Sequence, residues 1–176
     1  MAEDLSVIED VTKKSGLIWL TIDDHPHPQA VWHVWLDGAV YVVYGGSEQP
    51  LPGIGAARRV LVTTRTKGTG VRALTWVATP QVLDPGTPEW AKAVPALHAK
   101  RLNAPDGEHQ PARWAWESRI VRLTPTGEIV ERPGAMPSGS GAAPPRPTPA
   151  TTRGALPFVI GRGTGRGGPP RRGRRR

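Results

Sequence analysis

The chain of 176 residues contains no cysteine. Disulfides, thiolate metal sites and cysteine nucleophiles are therefore excluded, and a reducing compartment is compatible with the sequence. No apolar run approaches the roughly 18 residues that a membrane-spanning helix needs. The opening Met-Ala-Glu-Asp is acidic and leads into no apolar stretch, so no secretory leader is expected and the expected location is cytoplasmic. Phenylalanine is nearly absent: one Phe stands beside seven Trp. Acids are missing from one whole end, since residues 133–176 hold nine Arg but no Lys, Asp or Glu. The net charge of +8 belongs to that end, because residues 1–132, with 14 basic and 15 acidic side chains, are close to neutral. The basic balance therefore says little about what the folded part binds.

What is present divides the chain in two: a folded domain over 1–132 and a disordered Arg/Gly/Pro-rich tail over 133–176. Nine Pro and ten Gly in that tail leave too little apolar surface to offset chain entropy. Its apolar patch, Leu156–Ile160, is read as unstructured rather than docked. The ending GRGTGRGGPPRRGRRR resembles RGG-type low complexity, which binds nucleic acid through charge. The plain alternative is a solubilising extension.

Residues 4–14 read as a short helix, with Asp4 as cap, Leu5, Ile8 and Val11 near one face, and Gly16 as the stop. Strands follow at Leu17–Ile22, Ala30–Leu36, Ala39–Tyr44, Arg59–Arg65 and Val71–Leu83. Asp23–Pro28 reads as a turn, with prolines that cannot donate to a ladder. Asp37-Gly38 is the strongest hairpin signal. Thr87 and Pro88 open a late helix running to about Leu102, which Pro95 inside it should kink or split in two, and Asn103–Pro111 reads as a loop. A last strand, Ser118–Thr124, is closed by a turn over Pro125–Gly127, with a short extension to Val130. Five strands before any long helix predict a mainly β protein, an antiparallel barrel or rolled sheet rather than a βαβ fold.

Few groups have the makings of a site. Gly45-Gly46-Ser47, at the end of a strand, allows close approach of a ligand and could present N–H groups to a phosphate; an ordinary loop is the alternative. Arg65-Thr66-Lys67-Gly68 combines cations and hydroxyls without Walker spacing, and a solvated turn explains it as well. Trp32 and Trp35 fall on opposite strand faces, one for the core and one for a cavity or a dimer surface. His33 between them either meets a ligand or sits satisfied and partly buried. His25 and His27 lie beside Asp23 and Asp24 in a proline-locked turn, a poor geometry for a metal with no third ligand in view. No Ser, His and Asp stand in a recognised nucleophile arrangement. If the protein is an enzyme, its reactive group belongs to a cofactor.

The run Trp19-Leu20-Thr21, then Pro28-Gln29-Ala30-Val31-Trp32, then Asp37-Gly38-Ala39-Val40-Tyr41-Val42-Val43-Tyr44 resembles the pyridoxamine 5′-phosphate oxidase-like, flavin-binding split-barrel family. Val60–Thr64, Val71–Leu83, the helix ending at Asn103 and Ile120–Leu123 follow in the same order. The resemblance implies a six-stranded antiparallel split β-barrel with one short N-terminal helix and one late helix. It also implies a homodimer, FMN or F420 at the dimer groove, and oxidation or reduction of a small molecule or non-catalytic carriage or sensing. By position it assigns Trp32, His33 and Val34 to the cofactor ring, and Tyr44, Gly45, Gly46 and Ser47 to its ribityl or phosphate part, with Arg65 and Lys67 as the cations. One departure stands out: where many members carry a basic phosphate clamp, this chain has Ser47-Glu48-Gln49-Pro50. Glu48 would repel a phosphate by about 1–4 kcal/mol at 4 Å. Either the phosphate turns to Arg58, Arg59, Arg65 or Lys67, or FMN is not bound in the usual way.

Overall fold

The computed structural model describes residues 2–22 and 25–145, without the side chains of His25 and Pro26. The chain divides into two units, Met1–Ala143 and Pro144–Arg176. Asp23, Asp24, Leu156–Ile160 and the arginine-rich end lie outside the described residues, and with them the expectations placed there.

Helix α1 is Ala2–Lys14, with Glu3 and Asp4 in its first turn and Lys13 and Lys14 in its last, complementing its dipole. Its buried face is Ile8 and Thr12, one turn apart, flanked by Val7 and Val11, while Leu5 lies outside. Seven strands follow: β1 Ile18–Ile22, β2 His25–Val31, β3 Val34–Leu36, β4 Ala39–Tyr44, β5 Val60–Arg65, β6 Arg72–Leu83 and β7 Arg119–Glu131. They form one antiparallel sheet in the order β2-β1-β5-β6-β7-β4-β3. Curled on itself, this is the mainly β split barrel that the sequence implied.

Three elements differ from the reading of the sequence. The expected strand Ala30–Leu36 is broken at Trp32 and His33, so β2 and β3 lie on opposite edges of the sheet and the strands number seven. Residues 25–28, read as turn, belong to β2; an edge strand can carry Pro26 and Pro28 because one side of it needs no ladder. Pro125–Gly127 does not end the last strand. Between the pairs Trp76↔Ile129 and Ala78↔Pro125, β7 has two more residues than β6, so a bulge containing Gly127 follows the paired Pro125.

The expected signals act elsewhere as read. Asp37 and Gly38 have φ 46° and 73°, and Leu36 pairs with Ala39, which is the two-residue primed hairpin. Helix α2, Pro88–Lys100, is capped by Thr87, whose Oγ1 accepts from the Trp90 amide at 3.3 Å, and it contains Pro95. A second late helix that the sequence reading missed, α3 Gln110–Glu117, follows within the stretch after Asn103.

Two cores result. Inside the barrel, Leu20, Val42, Val62, Trp76 and Leu123 pack together, with Ile8 of α1 and Ile54 of the loop after β4 completing the fill. Outside, α2 and α3 lay Trp90, Leu97 and Trp114 onto Tyr41, Val43 and Ile120. β4 serves both cores, so Ala39 to Val43 are all buried.

Two buried polar groups tie these layers. The Glu48 carboxylate accepts from Trp114 Nε1 at 3.0 Å and from Arg101 Nε at 3.2 Å, joining the loop after β4 to the end of α2 and to α3. His33, fully buried at the break between β2 and β3, donates from Nε2 to the Thr12 carbonyl at 3.2 Å and so binds α1. Burial, with the charge of Lys100 adding, pulls the His33 pKa down to about 4 against the opposing effect of the Thr12 hydrogen bond.

Replacing Glu48 by Ala leaves Arg101 and the Trp114 N–H without their acceptor; we expect a loss of about 3 kcal/mol of unfolding free energy in urea titration. A change within experimental scatter would show that the pair contributes nothing. His33 gives a pH dependence. The folded protein holds it neutral, whereas the unfolded chain protonates near pH 6.5. The unfolded state therefore takes up more protons between these values. Stability from this group is complete above pH 6.5, falls by on the order of 3 kcal/mol as the pH drops toward 4, and levels off below. His33→Gln should flatten that part of the urea-midpoint profile.

Candidate functional site

β4 runs into Gly45 and Gly46, both left-handed at φ 78° and 60°. The turn is closed by Gly45 N–H to Gln49 O and Glu48 N–H to Gly45 O, each 3.0 Å, and Ser118 Oγ donates to Gly45 O at 3.1 Å. The last residue of α3 meets this loop. Ser47 donates to Glu117 Oε1 from its hydroxyl at 2.7 Å and from its amide at 3.4 Å, and Arg113 Nε donates to the same oxygen at 2.5 Å. The Ser47 hydrogen bonds, helped by Arg113, hold the Glu117 carboxyl below its ordinary range against partial burial. A Cβ on Gly46 would stand 2.7 Å from the Glu117 carbonyl oxygen, so this approach requires glycine. Tyr44, just before the loop, is half-buried against the barrel core, and burial raises its phenol pKa.

The ring-facing residues implied by the resemblance are largely covered. Trp32 packs against Trp114 with centroids 6.4 Å apart, and the Arg101 guanidinium lies 5.7 Å from its ring. Val34 belongs to the outer core and His33 lies under α1. A cavity of about 410 Å³ beside them is lined by Lys13, His33, Trp35 and Lys100. Glu48 does not face a phosphate at all; it is buried against Trp114 and Arg101.

Arg65 and Lys67 stand elsewhere. Arg65 pairs with Arg72 at the start of β6, whereas β4 reaches the sheet beside the end of β6, where Leu83 and Val43 both face Ile120 of β7. The two ends of β6 are separated by about 35 Å of extended strand. The chain thus does not bring Arg65 and Lys67 to Gly45–Ser47.

At the Arg65 end, strand alternation builds a groove. Ile18, Leu20 and Ile22 of β1 point into the barrel, so Trp19 points out; Val60, Val62 and Thr64 of β5 point in, so Thr63 and Arg65 point out. The Arg65 guanidinium carbon lies 4.5 Å from the Trp19 ring centroid. Trp19, Pro28, Thr63, Arg65 and Arg72 line a cavity of about 320 Å³, crossed by residues 137–141. That crossing segment is held by Arg72 Nη2 donating to the Pro137 carbonyl and by His27 Nδ1 donating to the Gly141 carbonyl at 3.1 Å. Thr63 Oγ1 lies 3.0 Å from Thr75 Oγ1, which donates to Glu131 at 2.6 Å. Among the described residues neither Arg65 nor Arg72 is paired with a carboxylate. Lys67 lines the next cavity, with Asp10, Lys14 and Arg65.

An indole face and two carboxylate-free guanidiniums can hold a flat anion. Among the described residues, the side chains lining the groove include no acid, no thiol and no histidine. Trp19 and Arg72 were missed by the reading of the sequence. The alternation of Ile18–Ile22 signals Trp19, but Arg72 acquires its place only through the β5–β6 register. Among the described residues no three His, Asp or Glu cluster as a metal site, and no helix is long and apolar enough to cross a membrane.

No family model matches the chain, and no curated protein matches it. Solved structures do match. The heme storage protein HutZ from Vibrio cholerae is 14% identical over 70% of this chain and 91% of its own, with a TM-score of 0.51. A conserved hypothetical protein from Mycobacterium tuberculosis is 15% identical over 69% and 79%, with a TM-score of 0.52. A protein of unknown function from Agrobacterium tumefaciens is 20% identical over 72% and 56%, with a TM-score of 0.50. At these identities the likeness is one of fold, and it is the split-barrel fold.

Proposed function

We propose that the chain is a split-barrel protein that binds a flat, anionic cofactor of the flavin type, FMN or F420, and works with it as an oxidoreductase on a small molecule, as a homodimer in the cytoplasm. The observation that carries this reading is the outward groove where Trp19, Arg65 and Arg72 converge. Indole offers a stacking face, and guanidiniums without a carboxylate suit a phosphate.

The two ends of β6 differ in fit. A phosphate does not fit at Gly45–Ser47 as the loop stands, because Glu117 occupies the Ser47 donors. In the groove, Arg65 and Arg72 would hold the acidic group, and Trp19 with Thr63 the ring. When bound, such a cofactor supplies hydride transfer. The chain's own residues bind and orient, and the 137–141 segment narrows the opening to water. A second reading is a carrier or sensor that binds the same ligand without turnover.

Titrating the full chain with FMN and with F420, read by tryptophan emission, should give saturable binding. Arg65→Ala combined with Arg72→Ala should weaken it more than about tenfold, since two charge-assisted hydrogen bonds are lost. Lys67→Ala should cost less. No response to either cofactor, or unchanged affinity in the double variant, would overturn the assignment. Turnover of the reduced cofactor with an electron acceptor separates the oxidoreductase from the carrier.

A further inference from the structure

Residues 137–141 cross the Trp19 groove, and little holds them there. Upstream the chain is tied down. Arg132, just after β7, donates to Asp4 Oδ1 at 2.6 Å, and the Ala135 amide donates to the Arg132 carbonyl at 3.0 Å. From Pro137 to Gly141 the segment is exposed and lies outside any helix or strand. It puts no side chain into either core. Its anchors over the groove are two side chains that donate to its backbone: Arg72 Nη2 to the Pro137 carbonyl, and His27 Nδ1 to the Gly141 carbonyl at 3.1 Å. At the second anchor Gly141 is left-handed at φ 67° and rests on the Pro28 ring, where a Cβ would meet two ring carbons at 3.4 Å. Each such hydrogen bond adds only modest net stability, so the segment is held but not locked.

We propose that residues 137–141 are an autoinhibitory strap, which an anionic ligand opens by taking Arg72 from the Pro137 carbonyl. The strap covers the very donor that the ligand needs. Arg72 meets a neutral peptide oxygen there, and a phosphate or carboxylate makes a stronger, two-pronged bond with the same guanidinium. The exchange therefore runs toward the ligand. While closed, the strap lowers the apparent affinity of the groove by the fraction of chains that stand open. A chain end merely passing over the sheet would not be met by a side chain at each end of its crossing. The identity of the ligand rests on the cofactor reading; the latch itself rests on His27, Arg72 and Gly141.

The test uses the full chain. It has no cysteine, so Ser138→Cys can carry a nitroxide label as the only thiol. The label's spectrum should show restricted motion, and saturating FMN or F420 should free it. His27→Ala removes one anchor, and Gly141→Val places a branched side chain where φ is 67°. Neither residue holds the ligand. Each variant should free the label with no ligand present, keep the wild-type urea midpoint of the barrel, and bind FMN or F420 about fivefold more tightly, the effect of one lost hydrogen bond on the closed state. A label that both variants free, in a protein that binds neither cofactor, overturns the cofactor reading and leaves the strap standing. A label already mobile in wild type, or still restricted in both variants, overturns the strap. So does a cofactor that binds without freeing the label, or with equal affinity in wild type and both variants.

Discussion

The barrel depends on a break in one strand. Trp32 and His33 leave the sheet between β2 and β3, and the two halves of a single apolar run pair at opposite edges. Were the run continuous, β1 and β4 would share one straight neighbour and the sheet could not wrap a core. What holds the break open is packing. Trp32 turns outward onto Trp114, and His33 turns under α1 to the Thr12 carbonyl. The cost is a buried imidazole whose Nδ1 has no partner among the described residues. The same two residues therefore fix the sheet topology, seat α1 and orient α3.

From that topology comes the spatial separation of the Trp19 groove from the Gly45–Ser47 loop. β6 is long enough to belong to both ends of the molecule. Its start carries Arg72 beside Arg65 of β5, two guanidiniums paired with no carboxylate among the described residues. Its end, beside β7 and near β4, meets a loop whose donors are already satisfied. Charge is thus available where the glycines are not, and the glycines are spent where a carboxylate of the chain itself sits. Glu48, which by sequence would repel a ligand, instead joins three segments as a buried acceptor.

Local signals were legible in the sequence, and long-range pairings were not. Asp37-Gly38 and Thr87-Pro88 act through their own backbone, so residue identity suffices to place them. The prolines of β2 misled, because proline argues against a central strand but not against an edge, and edge position is a property of the whole sheet. Helix α3 was hidden in a polar stretch; its one buried tryptophan, Trp114, finds its partners in Trp32 and Glu48, far off in sequence. At the site, Arg65 could be singled out as a cation, yet Trp19 and Arg72 join it only through strand register. Nothing near Ser47 points to Glu117.

Helix α1 has a consequence for any shortened form of the chain. It is a stopper for the barrel: Ile8 fills the interior and the Thr12 carbonyl receives His33. A chain beginning after Lys14 would keep every strand yet lose the plug. The barrel interior that Ile8 fills would be open to water, and a core histidine would be stripped of its acceptor. Such a product would retain its strand content while exposing apolar surface, and it would be prone to association.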